Sequence, residues 1–264
     1  MQNRPIGIFD SGVGGLTVLK QIEKVLPGEN IVYFGDTARV PYGNKSKQTI
    51  VKFSRENILF LLKKKVKLVV VACNSSSALA LRELRAAFSL PIIGVIEAGA
   101  TQAVKKSLNK KVGVIGTKAT ISSKSYDKQI RKIDKSLMVY SKSCPLFVPL
   151  VEEAVLKGKI VNEAMKMYLD YFRKKGVDTI ILGCTHYPLL KGQIARFLKS
   201  ALIIDSAEEV AKHTKKILFT RGWLNNSKKA SRKDFYLSDK TEEFSKLARL
   251  FLKRTIPKPK IANA

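Results

Sequence analysis

Short apolar runs alternate with amphipathic segments along almost the whole chain, and this alternation limits the folds available to it. Eight apolar runs have strand character, at residues 6–9, 31–34, 68–72, 92–95, 112–115, 137–140, 179–182 and 202–204. Five segments between them place apolar residues at helical spacing, at residues 16–25, 49–62, 79–88, 162–172 and 208–218. Repeated strand–helix alternation is typical of parallel sheets covered by helices on both faces. We therefore predict an α/β fold of doubly wound parallel sheets, with ligands beyond the carboxyl ends of the strands.

Three landmarks recur along the chain at nearly the same interval. Each pair lies at the end of an apolar run or next to a Val-Pro step, and the members are 107, 108 and 111 positions apart: Asp10 with Thr117, Pro41 with Pro149, and Cys73 with Cys184. An almost constant interval across unrelated landmarks indicates a duplicated unit of about half the chain.

Duplication predicts two pseudosymmetric domains with the active site in the cleft between them. Residues 207–264 have no counterpart in the repeat, so we expect them to pack back onto the first half. The predicted domains are residues 1–96 plus 207–264, and residues 97–206. The basic, proline-containing segment 253–260 is expected to be a loose tail.

The net charge of +28 is spread along the chain rather than gathered in one stripe. A specific nucleic-acid site is usually a localised basic surface, so the dispersed charge favours a solvated basic surface instead. The same charge would attract an anionic small substrate.

From the sequence we expect neither a membrane span nor a secretory leader. No apolar run approaches the roughly 18 residues that a transmembrane helix needs, and the first residues lack a long apolar stretch. The three cysteines form no C-x-x-C pair, which is not a disulfide framework. We expect a cytoplasmic protein with reduced thiols.

Cys73 and Cys184 each follow an apolar run and precede a predicted helix. Helix N-termini favour a thiolate, so we expect both sulfurs to be reactive at facing strand ends. Cys144 has no partner in the repeat and is expected to be structural.

Other polar side chains at strand ends are candidate helpers of the two cysteines. Asp10 ends the first strand and is either a helix cap or a carboxylate close to Cys73. His186 follows Cys184 by two positions and is a candidate for the matching role. Glu152 follows the second Val-Pro landmark, where an acid at a helix start is the alternative interpretation. The glycines after Asp10 read G-x-G-G, a poor match to a dinucleotide fingerprint.

Five blocks of the sequence resemble the signature blocks of glutamate racemases, within the aspartate/glutamate racemase family. They are residues 7–17 (GIFDSGVGGLT), 36–43 (DTARVPYG), 72–74 (ACN), 113–117 (GVIGT) and 183–189 (GCTHYPL). They stand in the family's order, and His186 in the last block favours glutamate over aspartate. Ser75-Ser76 departs from the family's usual Thr-Ala, although Ser75 keeps the hydroxyl group.

The resemblance implies a cofactor-independent interconversion of L-glutamate and D-glutamate that needs no metal. Cys73 and Cys184 would face opposite sides of the α-carbon, Asp10 would assist Cys73, and His186 with Glu152 would assist Cys184. Substrate would be held by groups from Asp10, Ser11, Tyr42, Gly43, Asn74, Ser75, Thr185 and His186. The resemblance further implies a homodimer and a supply of D-glutamate for peptidoglycan.

Two other classes of function compete with a racemase. Cys73, Cys184 and His186 could be the ligands of a hydrolytic zinc ion with an open fourth position. The chain could also be a binding module without enzymatic activity, either a periplasmic-type ligand binder or a basic nucleic-acid-binding protein.

Overall fold

The computed structural model describes residues 1–227, 230–239 and 242–262. Its strands are β1 Ile6–Asp10, β2 Ile31–Gly35, β3 Leu68–Val71, β4 Ile92–Gly94, β5 Lys111–Gly116, β6 Met138–Ser143, β7 Thr179–Gly183, β8 Leu202–Asp205, β9 Lys233–Leu237 and β10 Lys260–Ile261. Its α-helices are α1 Leu16–Val25, α2 Lys47–Lys63, α3 Asn74–Leu79, α4 Leu81–Ala87, α5 Val95–Lys106, α6 Lys118–Ser122, α7 Ser125–Ile133, α8 Phe147–Glu152, α9 Lys159–Lys175, α10 Lys191–Phe197, α11 Ser206–Thr220 and α12 Glu242–Leu252. Short 3-10 turns span Thr37–Arg39, Tyr42–Asn44 and Tyr187–Leu190.

The strands form two sheets in which every described pairing is parallel. The first sheet has the order β10-β9-β2-β1-β3-β4 and the second has the order β6-β5-β7-β8. Four strands of the first sheet, β2-β1-β3-β4, therefore repeat the order of the whole second sheet. This shared order confirms the predicted pair of parallel α/β units.

Strand β1 shows why these apolar runs become central strands. All five of its residues are buried, and Ile8 and Phe9 face different hydrophobic clusters on the two sides of the sheet. A strand covered on both faces needs apolar residues at successive positions rather than in alternation. Runs of this kind are what the sequence shows at residues 6–9 and 68–72.

Three local predictions were wrong or incomplete. The helix expected at residues 79–88 corresponds to α4, at Leu81–Ala87, whereas Leu79 ends the separate helix α3, with Ala80 between the two. Val40-Pro41 lies in extended backbone whereas Val148-Pro149 lies inside α8, so this landmark pair does not share a local conformation. The expected loose tail pairs at Lys260 and Ile261 with β9, because that edge strand offers free backbone groups.

Strand β9 was not predicted, and its addition to β2 attaches residues 233–237 to the first sheet. Helix α11 packs against both α1 and α5. The domain division at residues 96 and 207 stays a prediction.

Among the described residues, no helix combines the length and apolar character required to cross a membrane.

Candidate active site

A cavity of about 190 Å³ lies where loops from the carboxyl ends of both sheets meet. Sites for drug-sized ligands are typically about 300–1,000 Å³, so this one suits a small molecule. Ten of the residues proposed from the sequence line it: Ser11, Tyr42, Gly43, Cys73, Asn74, Ser75, Glu152, Cys184, Thr185 and His186. Both cysteines therefore border one shared space.

Cys73 connects the end of β3 to the start of α3 and is 5% exposed. Its sulfur lies 3.8 Å from the Ser11 hydroxyl, to which the thiol donates. Burial, together with the nearby Asp10 carboxylate, raises the pKa of Cys73 to about 11. The expected lowering by the helix N-terminus is thus outweighed, because desolvation and a like charge both oppose the thiolate. Cys73 is a protonated thiol at neutral pH.

Asp10 lies at the end of β1 and is completely buried. Its carboxylate accepts from the Gly12 N–H at 3.1 Å and from the Thr185 hydroxyl at 3.5 Å. Burial raises its pKa. Asp10 is not among the residues that line the cavity, so its effect on Cys73 is electrostatic rather than by contact with a ligand.

Cys184, His186 and Glu152 form a connected chain on the opposite side. His186 Nδ1 lies 3.8 Å from the Cys184 sulfur, and His186 Nε2 lies 3.0 Å from Glu152 Oε1. Burial would lower the pKa of His186, but hydrogen bonding to Cys184 and Glu152 raises it to about 10. The imidazole is therefore charged at neutral pH, and the two sides of the cavity differ in charge.

An aromatic ring from the C-terminal part of the chain supports the imidazole. Phe251, on α12, meets His186 edge to face, with ring centroids 5.7 Å apart and planes at 90°. The Phe251 carbonyl accepts from Lys20 Nζ at 3.3 Å, which helps to fix α12 against α1. Nothing in the sequence around His186 signals this contact.

Several other polar residues that line the cavity are hydrogen-bonded to neighbouring side chains. The Tyr126 hydroxyl donates to Asn74 Oδ1 at 2.8 Å, which leaves the Asn74 amide nitrogen as the end available to a ligand. Ser75 and Thr117 hydroxyls lie 3.0 Å apart and join α3 to the loop after β5. The Tyr42 hydroxyl donates to Asp36, so its proton already has an acceptor within the protein.

The two halves approach each other closely beside the cavity. A Cβ atom on Gly14 would lie 2.3 Å from Thr185 Oγ1 and 2.6 Å from the His186 ring. The Thr17 hydroxyl also donates to the Thr185 carbonyl at 3.1 Å. Gly14 is therefore needed for close contact between the halves, which explains this glycine without a nucleotide.

The zinc alternative requires a compact ligand set. In residues 1–227, 230–239 and 242–262, no group of three or more His, Cys, Asp and Glu side chains has an arrangement suited to a metal ion. The Cys73–Cys184–His186 set is thus not such a group.

The cavity also contains residues that the sequence did not identify as functional. Val40, Pro41, Thr117, Val148 and Pro149 line it and belong to the repeated landmarks, so the repeat could have indicated them. Tyr187 also lines it and lies in the signature block at residues 183–189, whereas three lining residues have no comparable signal in the sequence: Asn44, Lys118 and Pro145.

Comparison with known proteins places this arrangement in a family. The profile of the Asp/Glu/hydantoin racemases matches residues 6–214. The chain belongs to this racemase family. It is 47% identical to a glutamate racemase of Aquifex aeolicus over 258 residues, 98% of this chain and 97% of that protein.

Solved racemase structures match the whole molecule. The glutamate racemase of Francisella tularensis, solved with D-glutamate, superposes with a TM-score of 0.94 at 42% identity, covering 100% of this chain and 98% of that one. The Escherichia coli glutamate racemase, solved with L-glutamate and an activator, gives 0.77 at 27% identity, covering 95% and 94%. This racemase-family chain is accordingly an enzyme of the isomerase class, with the two-sheet fold of glutamate racemases.

Proposed function

We propose that the chain is a glutamate racemase that interconverts L-glutamate and D-glutamate without a cofactor, by a two-base mechanism. The observation that carries this proposal is the shared cavity, which Cys73 and Cys184 border from strand ends of the two different sheets. Relatives at up to 48% identity are glutamate racemases, and two were solved with the two enantiomers of glutamate.

Racemisation requires that a proton leave one face of the α-carbon and that another arrive at the opposite face. In the proposed step one cysteine, as thiolate, takes the α-proton and becomes a thiol. The electron pair remains on the α-carbon and its carboxylate. The other cysteine, as thiol, then donates its proton to the opposite face and becomes a thiolate. Such a step needs one base and one acid at the outset.

The unequal surroundings of the two sulfurs supply that difference. Asp10 and burial keep Cys73 protonated, which suits it to donate a proton first. The charged His186, held by Glu152, can compensate a negative charge on Cys184. We propose that Cys184 acts first as the base and Cys73 first as the acid, and that the roles reverse with the other enantiomer.

Deprotonation of Cys73 in the reverse direction needs a positive charge close to Asp10 and the sulfur. The substrate ammonium is the natural candidate, because it would offset the carboxylate that opposes the thiolate. Substrate binding and thiol activation would thus be coupled on this side.

Substrate is proposed to be bound by polar groups around the cavity. The 3-10 turn at Tyr42–Asn44 provides no internal acceptor for its first N–H groups, so those of Tyr42 and Gly43 can bind a carboxylate. The Asn74 amide and the hydroxyls of Ser11, Ser75 and Thr185 complete the set.

The test is racemisation of glutamate in D₂O, followed by circular dichroism and by deuterium incorporation at the α-carbon. Cys73→Ala and Cys184→Ala should each abolish racemisation, whereas Cys144→Ala, which removes a buried thiol outside the cavity wall, should retain it. Full racemisation by either of the first two variants would overturn the two-base proposal. Comparison of glutamate with aspartate decides the substrate.

Three further points belong to the same proposal. Thiol chemistry requires a reducing compartment, which supports a cytoplasmic location. The D-glutamate product would supply peptidoglycan synthesis, as the family resemblance implies, and a cell without the enzyme should then require D-glutamate for growth. Assembly into a homodimer stays a prediction, and sedimentation of the purified chain checks it.

A further inference from the structure

The Tyr42 hydroxyl is hydrogen-bonded away from the cavity, within a partly buried polar cluster that the reaction itself does not use. We call this cluster the Tyr42 clamp; its members are Asp36, Arg39, Tyr42, Glu56 and Asn57. Asp36 follows β2, Arg39 lies in the turn after it, and the last two belong to α2. The clamp therefore ties the loop that forms one wall of the cavity to a long helix.

Each of the five side chains makes at least one hydrogen bond within the clamp. Arg39 Nε donates to both Asp36 oxygens, at 2.9 and 2.7 Å, while its Nη2 donates to Asn57 Oδ1 at 3.0 Å. Arg39 Nη1 donates to Glu56. Tyr42 donates to Asp36 and accepts from Asn57 Nδ2 at 3.2 Å.

Packing alone does not require such a cluster. Asp36 is completely buried, and a buried carboxylate is costly unless it is paired and hydrogen-bonded. A phenylalanine at position 42 would fill the same core space without a polar partner. Phe53 packs against both the Arg39 guanidinium, at 4.2 Å, and the Tyr42 ring, at 5.7 Å, and so adds apolar support.

The loop held by the clamp has little room to shift. A Cβ atom on Gly43 would lie 2.8 Å from Thr117 Cβ, so its backbone lies directly against the second half of the chain. Val40, Pro41, Tyr42, Gly43 and Asn44 all line the cavity. A small tilt of this loop would move the Tyr42 and Gly43 N–H groups that are proposed to bind the substrate.

We infer that Asp36 and Arg39 are positioning residues that hold the Tyr42–Gly43 backbone in place to bind the side-chain carboxylate of the substrate. This inference rests on the proposed glutamate racemase activity. The side-chain carboxylate is not conjugated with the reacting α-carbon and carries the same charge in the ground state and the transition state, so loss of its alignment removes uniform binding. Such a loss raises KM and changes kcat little.

Three substitutions test the contributions of different clamp residues: Tyr42→Phe, Asp36→Asn and Arg39→Lys. Tyr42→Phe removes one hydroxyl and should fold; we expect KM for glutamate to rise about fivefold to tenfold, with kcat within about twofold. Asp36→Asn should raise KM by about tenfold or more, because the clamp loses its central charge. Arg39→Lys, which cannot form the planar fork, should fall between the two.

A purely structural clamp would change stability without changing KM, so thermal unfolding is measured beside the kinetics. Glu83→Gln breaks the exposed Lys47–Glu83 ion pair at the start of α2 and is the matched control, with KM unchanged. The pH profile of kcat should also stay unchanged in Tyr42→Phe, because the cysteines and His186 are untouched.

Unchanged KM in folded Tyr42→Phe overturns the inference, even if the other two variants fail to fold. A wild-type chain that does not racemise glutamate overturns the proposed function instead, so the two failures are distinguishable. Double substitution of Asp36 and Tyr42 should raise KM by less than the product of the single effects, since both act through one bond.

Discussion

His186 Nδ1 lies 3.8 Å from the sulfur of Cys184, and the imidazole carries a proton at neutral pH because hydrogen bonds to Cys184 and to Glu152 raise its pKa against the effect of burial. The sulfur of Cys73 also has a polar neighbour at 3.8 Å, but this neighbour is the neutral hydroxyl of Ser11. The two thiols thus occupy equivalent strand ends in unequal electrostatic surroundings. In the proposed mechanism, that inequality provides an acid and a base from two identical side chains.

Glu152→Gln should lower the upper pH limit of activity. His186 is charged below a pKa of about 10, partly because of Glu152, so the neutral amide should lower that pKa. In our proposal, Cys184 can act as the base only while the His186 imidazole is charged. Activity is therefore lost as the pH rises through the pKa of His186. We expect kcat at pH 9 to fall about tenfold or more, and less at pH 7. An upper limit that does not move in the kcat profile from pH 6 to 11 would contradict this role.

The same proton affects stability. The folded-state pKa of His186 lies above its unfolded value of roughly 6.5, so its contribution is fully present below pH 6.5 and is lost as pH rises through about 10. Between those values the free energy of unfolding should fall more steeply with pH in the wild type than in His186→Asn. Urea unfolding of both proteins at pH 6, 8 and 10 measures the difference. Parallel curves would mean that the pKa of His186 is not raised.

Phe251→Leu should reduce kcat by about threefold to tenfold and change KM little. The aromatic edge of Phe251 limits the orientation of the His186 ring, and a leucine keeps the apolar volume but loses the ring contact. Phe244→Leu is the matched control, because Phe244 lies buried on the same helix, and its kcat should stay within about twofold. Equal losses in the two variants would attribute the effect to the packing of α12 instead.

Much of the fold followed from the sequence because its determinants are local. Residues 6–9 and 68–72 are apolar at every position, as a strand buried on both faces requires. The equivalence of Cys73 and Cys184 was visible because duplication preserves position along the chain. Each proposed site residue except Asp10 lines the cavity, since carboxyl ends of parallel strands meet at one edge.

What the sequence did not reveal depends on contacts between distant segments. Phe251 reaches His186 from a helix 65 positions away, and apolar periodicity does not specify a partner. The direction of the Tyr42 hydroxyl depends on Asp36 and Asn57 around it. The pKa of Cys73 was expected to be lowered, but burial and Asp10 dominate, and both effects require three-dimensional distances.

Gly14→Ala should strongly reduce activity in a chain that still folds. The new methyl group would lie 2.3 Å from Thr185 Oγ1 and 2.6 Å from the His186 ring, so the loop after β7 must move. Displacement of His186 from Cys184 disturbs the proton transfer, and misplacements of about 1 Å can reduce the rate about a hundredfold.

Gly12→Ala is the matched control for this substitution, because its Cβ would meet only Val40 Cγ2, at an ordinary 3.5 Å. We expect Gly12→Ala to keep kcat within about threefold, whereas Gly14→Ala loses about a hundredfold at similar thermal stability. Racemisation kinetics and thermal unfolding of both variants check this. Similar kcat values in the two variants would show that close contact between the halves at Gly14 is not required for catalysis.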